Sequence, residues 1–429
     1  MIGLIFGIML LLIFLGMDIA FAMGLSALAY ISVTQIFGRP LPFTLIPQKF
    51  MEGVDSFALV AIPLFILAGG LINRGGITKK LVDFANSIVG HLRGGLGLTC
   101  IVVNMITAGM SGSAIADASS IGSILIPAMK EEKYKPSFSA ALVASGSTIG
   151  PIIPPSIPMI MIGAITGVSV GRLFLGGAIP GFVMGFALMV YTYIYAVKSG
   201  FARKDKPNLK KIIESTKGAL IPLGIPVIIL GAIVTGIATP TEAAVIAVWY
   251  SFIVITLVYK SVKLKDVYQV IIDSMTSAAG VLFTVAAGVI FGWVATVEQL
   301  GPKLTDLFFS ISSSHIVILF LLNVLLLLMG MVMSTIPIIL MMTPILFPLI
   351  QQIGLDPVHF GVVMCLNLML GLLTPPIGFN LFITSAIAKV SVEEVVKDVL
   401  PFLLVLLMVL GLITYIPQIV LWLPNLVMK

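Results

Sequence analysis

Four short segments of this 429-residue chain combine side-chain hydroxyls with residues that interrupt a helix. In MSGSAIADASS at 110–120 and MVMSTIPI at 331–338, Gly, Ser, Thr and Pro replace the bulky apolar residues on either side; GPIIPPSIP at 150–158 and GLLTPPIGFN at 371–380 carry paired prolines inside long apolar runs. Each proline removes an amide donor and clashes with the preceding turn, and Gly adds its own helix penalty, so a regular helix cannot pass through smoothly. The carbonyls freed there, with the hydroxyls of Ser111, Ser113, Ser334, Thr335 and Thr374, form an oxygen cage suited to a hard cation such as Na+. Adjacent half-helix N-termini carry partial positive charge and can hold a carboxylate. Ser156 and Asn380 flank the proline pairs as candidate substrate contacts. Asp117, the only acid in the interior of either hydroxyl-bearing apolar stretch, is read as a helix cap or as a group acting at the cation and substrate site. The structural alternative at any single place is a Pro-kinked helix whose Ser and Thr re-satisfy the backbone. Asn104, Asn323 and Asn367 are read as hydrogen-bonding glue between helices, and Glu242 as a loop or first-turn residue.

Other chemistries have little to stand on. The three histidines, His91, His315 and His359, are far apart with no HExxH, and the Gly-rich stretches lack GKS or GKT, so neither metalloprotease, Ser-His-Asp nor direct ATP chemistry is expected, and the chain is read as no enzyme. Cys100 and Cys365 lie in apolar segments without metal-ligand spacing and read as structural thiols.

The elements that position these segments are membrane helices. Apolar residues make up 59% of the chain and charged residues 10%, with a mean hydropathy of +1.18, far beyond what one soluble core can bury. The first basic residue is Arg39, so residues 1–37 read as retained membrane helix, as two helices, and not as a signal peptide. Spanning segments are expected near 2–16, 18–37, 54–73, 136–162, 173–197, 217–237, 240–260, 270–297, 357–388 and 399–423.

The chain also repeats itself at an offset of 221: Gly109, Met110, Ser113, Pro127, Pro136, Gly150, Pro154, Pro155 and Pro180 recur as Gly330, Met331, Ser334, Pro348, Pro357, Gly371, Pro375, Pro376 and Pro401. Random overlay at this proline content gives roughly 0.2 proline matches, and five occur. Paired, interrupted hydrophobic segments in two halves point to the midplane binding site of a secondary transporter.

Basic residues report orientation. Nineteen of the 24 fall in 74–93, 130–135, 198–217, 260–265 and at Lys389 and Lys397, which the positive-inside rule assigns to the cytoplasm; Arg39, Lys49, Arg172, Lys303 and Lys429 remain outside. The net charge of +6 is therefore topogenic and calls for no nucleic acid. Loop sidedness then requires the stretches 94–129 and 315–350 to enter and leave on one face as re-entrant hairpins, and five intervening crossings invert the second repeat. The expected fold is an all-α polytopic membrane protein of inverted structural repeats, each with a re-entrant hairpin and a discontinuous transmembrane helix. Its parts are N-terminal scaffold helices at 1–50, a first repeat at 51–200 with hairpin 94–129 and broken helix 136–162, a basic cytoplasmic linker with two connecting helices at 201–265, and a second repeat at 266–429 with hairpin 315–350 and broken helix 357–388.

GVDSFALVAIPLFILAGGL at 53–71, SGSAIADASSIGSILIPAM at 111–129, GPIIPPSIP, GIATPTEAA at 236–244 and GLDPVHFGVV with GLLTPPIG at 354–378 resemble, in order, the large membrane subunit of TRAP (tripartite ATP-independent periplasmic) transporters. The resemblance covers about residues 50–400 and implies a bacterial inner-membrane, Na+-coupled importer of organic acids, such as sialate or a C4-dicarboxylate, with an elevator-like motion. It implies a small four-helix membrane subunit and a periplasmic binding protein as partners, and no cofactor beyond Na+ as coupling ion. The family's cation ligands map onto Ser111, Ser113, Gly150, Pro154, Ser334, Thr335, Gly371 and Thr374. KEEKYKP at 130–136 departs from the pattern, because the family often ends the hairpin helix there with Gly. The alternatives are an autonomous Na+/dicarboxylate carrier of related two-hairpin fold, and a channel-like or structural subunit with no coupled cycle.

Overall fold

A computed structural model describes residues 2–36, 41–203 and 209–428, with nothing said of the side chains of Ile2, Leu4 and Lys211. Arg39 and Lys429 of the charge count, and Lys204, Lys206 and Pro207 of the linker, lie outside the described residues. Every regular element among the described residues is helical. Lipid offers no hydrogen bonds, and a helix satisfies its backbone within itself. Among the described residues eight helices are long and apolar enough to cross a membrane, the two longest being Leu264–Val297 and Val170–Lys198.

Prolines and small caps start many helices. Pro136, Pro240 and Pro357 occupy first-turn positions where no amide is needed. Thr239 and Glu242 close a capping box, Asp356 accepts from the Val358 amide at 2.7 Å, and Ser391 accepts from that of Glu394 at 3.3 Å. After Ala114–Glu131, Lys133 takes φ +63°, the left-handed turn that a glycine would adopt more cheaply; this is how KEEKYKP ends the helix without one.

The N-terminal run forms two helices, Ile2–Phe14 and Ile19–Ile36. Four features differ from the expected spans. The 399–423 span is divided into Val392–Tyr415 and Gln418–Val427, separated at Pro417; LKKIIESTK belongs to the helix Leu209–Val234; and two amphipathic helices, Ile77–Val89 and Leu300–Ile311, occupy segments expected as loops. Leu45–Val54 is a further short helix ahead of the Phe57–Arg74 span.

The duplication extends to the helices themselves. Starts at Ile77, Gly95, Ala114, Pro136, Ile157 and Val170 recur at Leu300, His315, Thr335, Pro357, Phe379 and Val392, at offsets of 220 to 223. The two halves exchange partners. Ala114–Glu131 packs on Phe379–Ala388 from the other half as well as on its own Pro136–Ser147, while Thr335–Gln352 packs on Ile157–Thr166 and on Leu264–Val297. Phe138 stacks on Tyr195 with centroids 3.6 Å apart and meets Phe402, binding Pro136–Ser147 to both long spans at a contribution of about 1 kcal/mol per ring pair beyond burial. Asn367 Nδ2 donates to Asn323 Oδ1 at 2.8 Å and Asn323 Nδ2 to Thr414 Oγ1 at 3.3 Å, so both act between helices; Asn104 instead donates to Cys100 O at 2.8 Å within its own helix. Both cysteines are free and fully buried.

Candidate functional site

The first hairpin turns within two residues. Gly95–Ser111 ends at Gly112, φ +60°, and Ser113 is extended and accepts from the Ala116 amide at 3.4 Å as N-cap of Ala114–Glu131. Ser111 Oγ donates to Asp117 Oδ1 at 2.7 Å, closing the tip across its two arms. Asp117 is 1% exposed; its Oδ2 has no partner and faces Gly150, where an added Cβ would collide with it. Gly112 lies against the first proline pair, since a Cβ there would stand 2.6 Å from Pro155 O.

The first broken span stops at Ser147. Single-turn bonds at Thr148, Ile149 and Gly150 follow, then the cis Pro154–Pro155 peptide, before Ile157–Thr166 begins. Ser156 donates to Pro151 O at 2.5 Å and accepts from the Met159 amide at 3.2 Å, so this fully buried hydroxyl caps the second half-helix and lines none of the cavities below. In the second half, Gly371 ends Pro357–Gly371, Thr374 Oγ1 donates to Leu370 O at 2.8 Å, and Pro375–Pro376 is again cis. Asn380 Nδ2 donates to Ser147 Oγ at 2.9 Å, fastening one broken span to the other, and is buried away from both cavities. The second hairpin turns at Met331–Met333, where Ile377 N donates to Met331 O at 3.2 Å. Gly330 and Gly371 meet backbone to backbone, a contact only glycines allow.

These tips meet. A cavity of about 180 Å³ is lined from the first hairpin by Gly112 and Ser113, from the second by Ser334 and Thr335, and from the first broken span by Pro151 and Ile157. The first residues of three helices, Ala114, Ile157 and Thr335, lie on it, so three half-helix N-termini converge where hydroxyls are available. Thr335 Oγ1 is buried without a partner. Through Ser113, Ile115, Ile157 and Ile336 the cavity adjoins a cleft of about 730 Å³. The far wall of the cleft comes from Phe57–Arg74 and Leu264–Val297, bearing Asn73, Arg74, Asp273, Ser274 and Ser277.

Of the expected cation residues, Ser111, Ser113, Ser334 and Thr335 thus face open space, while Gly150, Pro154, Gly371 and Thr374 lie behind it in the helix breaks. Asp117 joins Ser111 to Gly150 beneath the first tip. The far-wall residues escaped the sequence reading, although polar side chains within apolar spans at 73, 273 and 277 were a signal for them. Among the described residues no three His, Cys, Asp or Glu converge; the oxygens at the first tip are hydroxyls, backbone carbonyls and the Asp117 carboxylate. On the basic face, Lys130 donates to Ala388 O, and Lys135 Nζ lies 2.9–3.0 Å from both Asp398 oxygens, a hydrogen bond that raises the lysine's pKa.

Two helix-turn-helix tips and two proline-broken spans, gathered around one cavity inside a many-span helical body, define a membrane transport permease. The same fold is seen at a TM-score of 0.64 in the crystal structure of the Alcanivorax borkumensis YdaH transporter, 14% identical with 87% of each chain covered. The chain belongs to the tripartite ATP-independent periplasmic transporters, DctM component, whose family model matches residues 6–419. It is 39% identical to the sialic acid TRAP transporter large permease SiaM of Vibrio cholerae over 99% of both chains. It is 38% identical to the C4-dicarboxylate TRAP transporter large permease DctM of Pseudomonas aeruginosa over 88% of both. It is thus a multi-pass inner-membrane large permease, one component of a three-part system.

Proposed function

We propose that this chain is the translocating subunit of a Na+-coupled importer of a small organic acid, delivered by a periplasmic binding protein and accompanied by a small four-helix membrane subunit. The observation that carries this reading is the meeting of Ser113, Ser334 and Thr335 at one cavity faced by three helix N-termini. An acid's carboxylate is balanced there by N–H groups and hydroxyls, and bound Na+ by oxygens freed in the helix breaks. Two clusters serve as cation sites. One comprises Ser111, Ser113, Asp117 and the break at Gly150 and Pro154; the other comprises Ser334, Thr335 and the break at Gly371 and Thr374. Ser156 and Asn380 hold the breaks in shape.

The halves are inverted relative to each other, and the unit of hairpins and broken spans moves against Phe57–Arg74 and Leu264–Val297 as an elevator. The cleft, which Arg74 lines, then opens to the cytoplasm. Relatives named for sialic acid and C4-dicarboxylates favour a carboxylate cargo, and the chain performs no covalent chemistry.

The test is reconstitution with the small subunit and a loaded binding protein. Uptake should require an inward Na+ gradient and vanish when K+ replaces Na+. Robust uptake of free substrate by the chain alone would instead favour the autonomous carrier.

A further inference from the structure

We propose that the far wall of the 730 Å³ cleft, formed by Asn73, Asp273 and Ser277, selects a polyhydroxylated monocarboxylate, a sugar acid, over a dicarboxylate. The inference rests on the transport reading above and assigns a recognition role to residues outside the hairpins and broken spans.

The two walls of the cleft differ in chemistry. The near wall presents the first tip's Ser111 and Ser113, with helix N-termini behind them, and suits one carboxylate. The far wall presents hydrogen-bonding groups of both kinds. Asp273 is exposed, accepts at Oδ1 from Gln269 Nε2 at 2.8 Å, and has no ion pair among the described residues. Arg74, the cation on the same cleft, lies 3.3 Å from Asp266 instead. Asn73 accepts at Oδ1 from Thr78 Oγ1 at 3.3 Å, which leaves its amide N–H groups to donate. Ser277 donates to Asp273 O at 2.9 Å, which leaves its oxygen lone pairs to accept.

Each hydroxyl of a sugar acid both donates and accepts, so it can satisfy all three groups. An unsubstituted dicarboxylate such as succinate only accepts, and its second carboxylate would share the cleft with the Asp273 carboxylate, where like charges repel. Size agrees with this distinction. A cleft of about 730 Å³ falls within the roughly 300–1,000 Å³ of sites that enclose ligands much larger than a four-carbon acid. Sites built to hydrogen-bond a hydroxyl reject analogues lacking it strongly, because their own polar groups are left unpaired.

The experiment reads the cleft directly, since a binding protein imposes its own selectivity on uptake. Val281 lines the cleft without belonging to the polar wall, and Cys100 and Cys365 are buried, so Val281→Cys gives one reactive thiol in the full chain in nanodiscs. Its labelling by a methanethiosulfonate reagent is measured in Na+ with N-acetylneuraminate, gluconate or succinate. Half-protection by a sugar acid is expected at a concentration at least about tenfold below that of succinate. Adding Asp273→Asn should shrink that ratio, improving succinate and weakening the sugar acid. Equal protection by succinate, or a ratio unmoved by Asp273→Asn and Asn73→Ala, overturns the inference. Uptake with the partner subunits separates it from the transport reading. Working Na+-driven uptake without selective protection sinks the inference alone, whereas neither uptake nor protection sinks both.

Discussion

The Ser111 hydroxyl and the Asp117 carboxylate, 2.7 Å apart, join the two arms of the first hairpin at its tip. The equivalent pair in the second half, at the 221 offset, is Val332 and Ile338, so the acid belongs to one repeat only. Asp117→Asn keeps the shape and removes the charge, and its expected effect is an apparent Na+ affinity about tenfold weaker or more, with substrate KM at saturating Na+ less affected. Na+ titrations of uptake at matched expression check this; an unchanged Na+ curve would assign Asp117 to holding the tip alone.

Ser113 and Ser334 occupy equivalent places and line one cavity. Ser113→Ala and Ser334→Ala each remove one hydroxyl while leaving the backbone carbonyls. Each should lower the Na+ Hill coefficient and weaken Na+ dependence without unfolding the protein, and the double substitution should do so further. Wild-type Na+ curves in all three would place the cation sites elsewhere.

Gly371 leaves no room for a methyl group, because its Cβ would stand 2.6 Å from the Gly330 Cα. Gly371→Ala should destabilise by about 1–3 kcal/mol or more, as overpacking against backbone does. Thermal unfolding in detergent measures it. Gly411→Ala, with open space at its Cβ, is the control expected to melt like wild type.

Lys135 is mostly exposed, so its pair with Asp398 contributes only about 0.2–1 kcal/mol once solvent screening is counted. The hydrogen bond raises the lysine's pKa in the folded state. That contribution is fully present below the ordinary lysine value and is lost only as pH rises through the raised one. Lys135→Met should therefore melt slightly below wild type by a constant margin from pH 7 to 9. A margin that closes within that window would show that another group carries the effect.

Orientation is open to a direct measurement. Cysteines at Ser199 and Glu131 should label only from the cytoplasm, and those at the exposed Lys303 and at Asp356 only from outside. Outside labelling at Ser199 would end the inverted arrangement.

The helix breaks were legible in the sequence because they combine signals. At Gly112–Ser113 and Pro154–Pro155, and at their counterparts, glycine, hydroxyls or paired prolines coincide, and the chain leaves the helix there. Single prolines behave differently. Pro127, Pro180 and Pro401 lie inside continuous helices, where one missing bond is tolerated among packed neighbours. The short helices Ile77–Val89 and Leu300–Ile311 escaped notice because half their faces are polar and a hydropathy reading registers only their charges. Ser156 and Asn380 stood beside the prolines in sequence, but their hydrogen bonds turn inward to the breaks. Asn73 and Asp273 acquire meaning only when two distant spans face the same space, which local pattern does not encode.

The exchange of packing partners makes each half depend on the other. Ala114–Glu131 rests on a helix of the other half, Thr335–Gln352 does the same in return, and Asn380 reaches across to Ser147. Either half translated by itself would display bare apolar flanks and a severed polar link. Each half thus completes the packing surface of the other, and the two hairpin tips keep their places only while both halves are present.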